Sequence, residues 1–331
     1  MSTALESYEK LNYAVRPSKQ VERKLMIEAL HFLGHNAGYR VSSYTYLGFG
    51  SIYYVDFVLF HKYLYIDRMI CVECSDIPKR MRFNKPYRFI KLHMGTLSSI
   101  IPMLRFNKRY IVWLDYDYGL DYGVESAESS IVEDVSAFAS KLSPGSILLV
   151  TAEAEPRLSN RRLNAQLTQE QRDQYLYQAF TDNYGILLGE VSKGDLTRKG
   201  LPKLVASVLG EQMRRSMLTN RHDVDFHQLF NFVYSDGAQM VTVGGIIDVP
   251  ESDRKLEECG VYDLPFIERG ASPMLISVPQ LTLREKEAID AKIMGRRGRG
   301  SVKVRFELRQ EFLDNYQKYY KHYPTYYEAL L

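Results

Sequence analysis

Glycines, carboxylates and aromatics cluster just after several short apolar runs of this chain. Gly48-Phe49-Gly50-Ser51 follows a β-favouring run at 44–47. Glycines there let the backbone turn sharply and let a ligand approach it closely, so Gly48, Gly50 and Ser51 are candidate binding residues. Glu73 closes the apolar run 69–72, 25 residues after Gly48. An acid roughly 20 residues past such glycines can accept from both hydroxyls of a ribose. Gly95 and Thr96 follow the run 89–92 and can wall an adenine ring. Asp115-Tyr116-Asp117-Tyr118 follows the run 110–114, which carries the only tryptophan, Trp113. Carboxylates at that place can orient a substrate, serve as a general base or bind a divalent cation. No further ligand pattern in the sequence supports the cation. Asp115 and Asp117 are the candidates for assisting proton removal, and Tyr116 and Tyr13 are candidate positioning groups. Arg16 and Lys19 stand in an otherwise uncharged stretch that can lie over a ligand.

For these stretches to meet, their runs must end along one edge. Helical patterns at 52–65, 78–84, 97–104 and 126–142 alternate with the apolar runs 69–72, 89–92, 110–114 and 147–151. Strands separated by helices mean crossovers and a parallel sheet covered on both faces. Ligands of such sheets bind beyond the carboxyl ends of the strands. Two later runs, 229–234 and 240–247, flank Ser235-Asp236-Gly237-Ala238, which has hairpin-turn chemistry. The expected fold is α/β: a doubly wound, mostly parallel seven-stranded sheet ending in an antiparallel hairpin. The expected organisation is an N-terminal helical segment over 1–40 and a core domain over 41–248. The core carries a helical insertion at about 156–222, and an extension over 249–331 ends in a Tyr-rich tail. Within the first segment, apolar residues at 21, 25, 26, 29, 30 and 33 mark one helix face, with Ser18 as a candidate cap. Thr282 and Glu285 form a capping-box pattern before a helix to 294, and 302–306 reads as a short strand.

With its five β-helix units followed by an antiparallel hairpin, the chain resembles class I S-adenosylmethionine-dependent methyltransferases over residues 40 to 248. The resemblance implies that Gly48 and Gly50 pass the methionine part of S-adenosylmethionine, Glu73 holds its ribose, and Asp115 faces the transferred methyl. It departs from the family at 44–46, where Tyr44, Thr45 and Tyr46 replace an acid, and in lacking a third glycine. Asp115-Tyr116-Asp117-Tyr118 also lacks the prolines of nucleic-acid amino-methyltransferases, which favours an oxygen acceptor. The alternative is a methyltransferase-like protein that has lost catalysis and binds within a complex, on nucleic acid for example. A nicotinamide-dependent enzyme is disfavoured by the hairpin and the missing glycine.

Length and composition set the remaining bounds. The chain has 331 residues, 45% apolar and 25% charged, enough for a sizeable core. Three cysteines are no disulfide framework, and Cys71-Val72-Glu73-Cys74 spans opposite faces of a strand, so no metal or redox site is expected. His31 and His35, four apart, have no third ligand nearby, and His222 and His227 read as surface residues. No signal segment or membrane-spanning run is evident, so a cytoplasmic protein is expected. The net charge of +3 predicts no partner by itself. Local clustering does point to one. Between Ile77 and Tyr110 stand nine Lys or Arg and no acid, and between Lys292 and Arg305 another six. Both can meet phosphates, with tyrosines to stack on bases. The C-terminal extension is a candidate oligomer contact, and the sequence leaves the methyl acceptor unidentified.

Overall fold

The computed structural model describes residues 16–122, 130–294 and 302–324. Tyr13, Tyr326, Tyr327, the Gly-Arg run 295–300 and part of the acidic stretch after Asp121 lie outside the described residues. In chain order the elements are α1 (Pro17–Asn36), β1 (Thr45–Phe49), α2 (Val55–Leu64), β2 (Arg68–Glu73), α3 (Pro78–Asn84), β3 (Ile90–Met94), α4 (Leu97–Ile100), β4 (Tyr110–Asp115), α5 (Ile131–Ala139) and β5 (Ser146–Glu153). There follow α6 (Arg161–Gln166), α7 (Gln169–Leu188), α8 (Leu201–Asn220), β6 (Asp225–Ser235), β7 (Gln239–Asp248), α9 (Ser252–Glu258), β8 (Met274–Ile276), α10 (Leu283–Met294) and α11 (Gln310–Tyr319).

The strands form one sheet in the order β3-β2-β1-β4-β5-β7-β6-β8. Every neighbouring pair is parallel except the two that include β7. Strands β4 and β5 are near-continuous apolar runs because both of their faces are covered. One face carries α1, α2, α3 and the C-terminal elements, around Tyr46, Trp113, Leu149 and Phe232. The other carries α4, α5, α7 and α8, around Leu47, Val112, Leu148 and Val243.

The doubly wound class and the hairpin are as the sequence indicates, and the sheet has one strand more than expected. Residues 249–279 read as irregular, yet Met274–Ile276 adds to β6 in parallel. Three residues are too short a run to show alternation. The candidate strand at 302–306 is coil instead. Within the span 156–222, α8 packs against β6, β7 and α5 and covers the sheet itself. Helices α6 and α7 are the part that stands between β5 and α8.

Helix α1 begins at Pro17, a residue suited to a first helical position. Ser18 is not its cap. The cap comes from the hairpin turn: Asp236 Oδ1 accepts from Ser18 N at 3.1 Å and Oδ2 from Lys19 N at 2.8 Å. A carboxylate there satisfies orphan amides and meets the positive end of the helix dipole. The β6–β7 turn thereby fastens α1 across the carboxyl edge of the sheet. The capping box of Thr282 and Glu285 is present at the start of α10.

Candidate active site

Strand order reverses between β1 and β4, with β2 and β3 on one side and β5 on the other. Beyond the carboxyl ends at that switch point lies a cavity of about 700 Å³. Gly50, Ser51, Glu73, Gly95, Thr96, Asp115, Tyr116 and Asp117 all line it, so eight of the sequence-selected residues converge. Gly48 does not line it. Strand β1 runs on to Phe49, and Gly48 sits inside it, with the Tyr46 ring across the place a side chain would take.

The turn after β1 is tight and specific. A Cβ on Gly50 would fall 2.6 Å from Cys71 Sγ and 2.9 Å from Met81 Cε. Glu73 Oε2 lies 3.2 Å from that same point, so the bare glycine backbone and the carboxylate share one corner of the cavity. Glu73 Oε1 accepts from Ser75 N at 2.9 Å, which orients the carboxylate. The chain regains its direction at Tyr54, whose φ of 48° is a left-handed conformation rare for an aromatic residue. Its hydroxyl donates to Met81 O at 2.9 Å and pins the strained residue in place. Cys71 is buried and Cys74 exposed, both free thiols. Burial pushes the Cys71 thiol far up, so it stays protonated.

At the end of β4, Asp115 meets a buried polar cluster that sequence reasoning reached only in outline. Lys19 Nζ donates to Asp115 Oδ1 at 2.8 Å and to the Tyr234 hydroxyl at 3.0 Å, and pairs with Glu22 Oε2 at 2.9 Å. It also sits 4.3 Å from the centroid of the Trp113 ring. Burial alone would lower the Lys19 pKa, but Asp115 and Glu22 outweigh it and hold the ammonium charged. One turn on, Arg23 Nε pairs with Asp56 Oδ1 at 2.5 Å, and both residues line the cavity. Burial raises the Glu22 carboxyl, partly countered by Lys19. Positions 19, 22 and 23 lie seven residues before 26, 29 and 30, on the face marked by apolar residues. Charge continuing an apolar face was the signal that could have found this cluster.

The other residues of this motif divide. Tyr116 donates its hydroxyl to Asp134 Oδ2 at 2.6 Å and packs edge-on against Phe49. Burial, with Asp134 beside it, pushes its pKa far up, so Tyr116 forms a wall and holds its proton. Asp117 is exposed at the mouth. Glu153 at the end of β5 pairs with Arg157 at 2.7 Å, and Arg16, Arg157 and Arg161 also line the cavity. Among the described residues no cluster of three or more His, Cys, Asp and Glu could hold a metal ion, and no helix is long and apolar enough to cross a membrane. His31 and His35 lie with ring centroids 6.4 Å apart, and His227 is buried against Val249 O.

The sheet order, its single reversed strand and the glycine-acid corner define a Rossmann-like, class I methyltransferase fold. A family model described as "Putative O-methyltransferase" matches residues 11–331, and the chain belongs to that family. A search of curated proteins finds no match. Similar solved structures include Trm1 from Pyrococcus horikoshii with S-adenosyl-L-methionine, at 11% identity and TM-score 0.43, covering 77% of this chain and 62% of that one. The O-methyltransferase from Bacillus cereus in complex with SAH is similar at 11% identity and TM-score 0.35, over 72% of this chain and 86% of that one. The N-methyltransferase NodS from Bradyrhizobium japonicum WM9 is similar at 10% identity and TM-score 0.35, over 69% and 97%. The chain thus spans under two thirds of the length of the Trm1 structure.

Proposed function

We propose that the chain transfers a methyl group from S-adenosylmethionine to an oxygen acceptor. The observation that carries this reading is the convergence of Gly50, Glu73, Gly95, Thr96 and Asp115 on one cavity at the switch point of the sheet. Its volume is in the range of ligand sites. The residues fit the cofactor: Gly50 leaves no room for a side chain where a ligand backs onto the turn, and Glu73 is oriented beside it. When bound, the cofactor supplies an electrophilic methyl on a positively charged sulfur. Glu73 would hold the ribose, and Gly95 and Thr96 would hold the adenine end. Asp115, held from behind by Lys19, aligns the acceptor hydroxyl and takes up its proton. Asp117 assists from the mouth. The missing proline motif after β4 and the description of the family both favour oxygen over a planar amine. The family match, with Glu73 and Asp115 in one cavity, favours catalysis over an inactive binding protein.

Titration calorimetry with S-adenosylmethionine and S-adenosylhomocysteine, with NAD as control, tests this reading. Saturable binding of the sulfur ligands is expected, weakened at least tenfold in Glu73→Ala, as the loss of a charge-assisted contact of about 1.5–3 kcal/mol implies. Binding that is unchanged in Glu73→Ala removes the ribose assignment. No binding to well-folded protein removes the enzyme reading.

A further inference from the structure

The basic stretch between Ile77 and Tyr110 does not fold into one surface. Arg109 lies at the amino end of β4, where its Nε donates to Pro144 O at 3.0 Å, on the side of the sheet away from the cavity. Lys91 lies on edge strand β3, on the face opposite the one that Ile90 and Leu92 share with Met81. What remains together is α3. Met81 is its buried residue, 1% exposed, and with Ile77 it lines the cavity. Lys79, Arg82 and Phe83, at spacings of three and four, share the outward face, with Arg80 beside them. All four are exposed, and Phe83 is 88% exposed, the most of any large apolar residue described. The loop that follows adds Lys85 and the exposed Arg88. No acid interrupts the segment, although the chain as a whole carries only +3.

The exposed Phe83 ring stands on a helix face flanked by cations at positions 79, 80 and 82, with no acid among them. Its chemistry matches a chain of phosphates whose bases are free to stack. We propose that the outer face of α3 docks an unpaired strand of nucleic acid beside the cavity mouth. Lys79 and Arg82 meet phosphates, and Phe83 stacks on a base. A duplex buries its base faces and offers Phe83 nothing. The inference goes beyond methyl transfer and does not require it, since docking needs no cofactor.

The test is fluorescence anisotropy with labelled oligouridylate, oligothymidylate and a duplex of matched length, at several salt concentrations. Micromolar or tighter binding of a single strand is expected at low salt, with the duplex weaker, and the RNA and DNA arms identify the sugar preferred. Lys79→Glu/Arg82→Glu should weaken binding at least tenfold and flatten the log–log salt slope by about 1.4, two phosphate contacts at about 0.7 each. Phe83→Ala should weaken it about fivefold or more with the salt slope unchanged, as loss of stacking alone requires. Lys108→Glu, on the distant amino edge, should have little effect. All variants should keep the thermal midpoint and the S-adenosylmethionine affinity of the unaltered protein, so failure of docking and failure of the cofactor assignment read out separately. Single-strand binding that is absent, indifferent to Phe83, or lowered equally by Lys108→Glu overturns the proposal.

Discussion

Lys19 and Glu22 occupy the same buried cluster, yet their removal should have unequal weight. Lys19 is the ammonium on which Asp115, Glu22 and the Tyr234 hydroxyl converge. Replacing it by Met leaves two neighbouring carboxylates without the ammonium that pairs with both. Breaking a buried pair from one side costs about 3–5 kcal/mol. Glu22 is fully buried, its carboxyl is raised by that burial, and Lys19, which pairs with it, is held by Asp115 as well. Gln at 22 removes a desolvated charge while Lys19 keeps Asp115. Glu22→Gln should therefore change stability by less than about 1 kcal/mol, a volume-conserving change without a cavity. Chemical denaturation of both variants checks the pair. Equal losses would mean that Glu22, not Asp115, is the anchor of Lys19. None of this was legible at the residue level, because Lys19 and Asp115 are 96 positions apart and Lys19 and Tyr234 are 215 apart. What the sequence did carry was the anomaly of charges on an apolar helical face.

At the scale of elements, long apolar runs were the readable part. Strands β4 and β5 and the hairpin fall where periodicity and turn chemistry place them. The end of β1 was harder to locate, because glycine is compatible with both a strand and a turn, and only pairing decides. Gly48 pairs with Cys71 on one side and Trp113 on the other, so the strand continues through it. The functional turn therefore starts two residues later, at Gly50. That residue is the point where β1, β2 and α3 press together, and it allows a test of the element contact itself. Gly50→Ala should destabilise the fold by about 1–3 kcal/mol, the range for overpacking, and weaken S-adenosylmethionine binding by displacing Glu73. Cys71 Sγ is the nearest atom to the new methyl, at 2.6 Å. Adding Cys71→Ala should therefore recover part of the lost stability. If the double variant is no better than Gly50→Ala alone, the crowding comes from Met81 on α3 instead.

At the scale of the whole molecule, the two ends of the described chain close on each other over one face of the sheet. Tyr316 and Tyr319 of α11 are buried in the same core as α1, which explains the tyrosine-rich composition of this stretch as packing. Their hydroxyls donate to Asp290 Oδ1, at 2.8 Å, and to Ser277 O. Beyond α11, His322 Nε2 approaches Glu28 Oε2 to 2.5 Å, 294 residues away in sequence, with Lys321 contributing to the same local field. No sequence pattern marks such a contact, because neither partner lies in a repeating or capped motif. The hydrogen bond from His322 holds the Glu28 carboxyl below its ordinary value of 4.5. A carboxyl whose folded pKa is depressed contributes its full stabilisation above the unfolded value, and loses it as pH falls through the folded value. His322→Ala should thus lower the melting midpoint modestly at neutral pH, since Glu28 is only half buried. The gap between the variant and the unaltered protein should stay constant down to about pH 4.5 and close below it. Thermal melts across that acid range decide the matter. A gap that persists unchanged to the acid end of that range, or that closes well above pH 4.5, would show that the Glu28 carboxylate is not the clasp between α1 and the C-terminal segment.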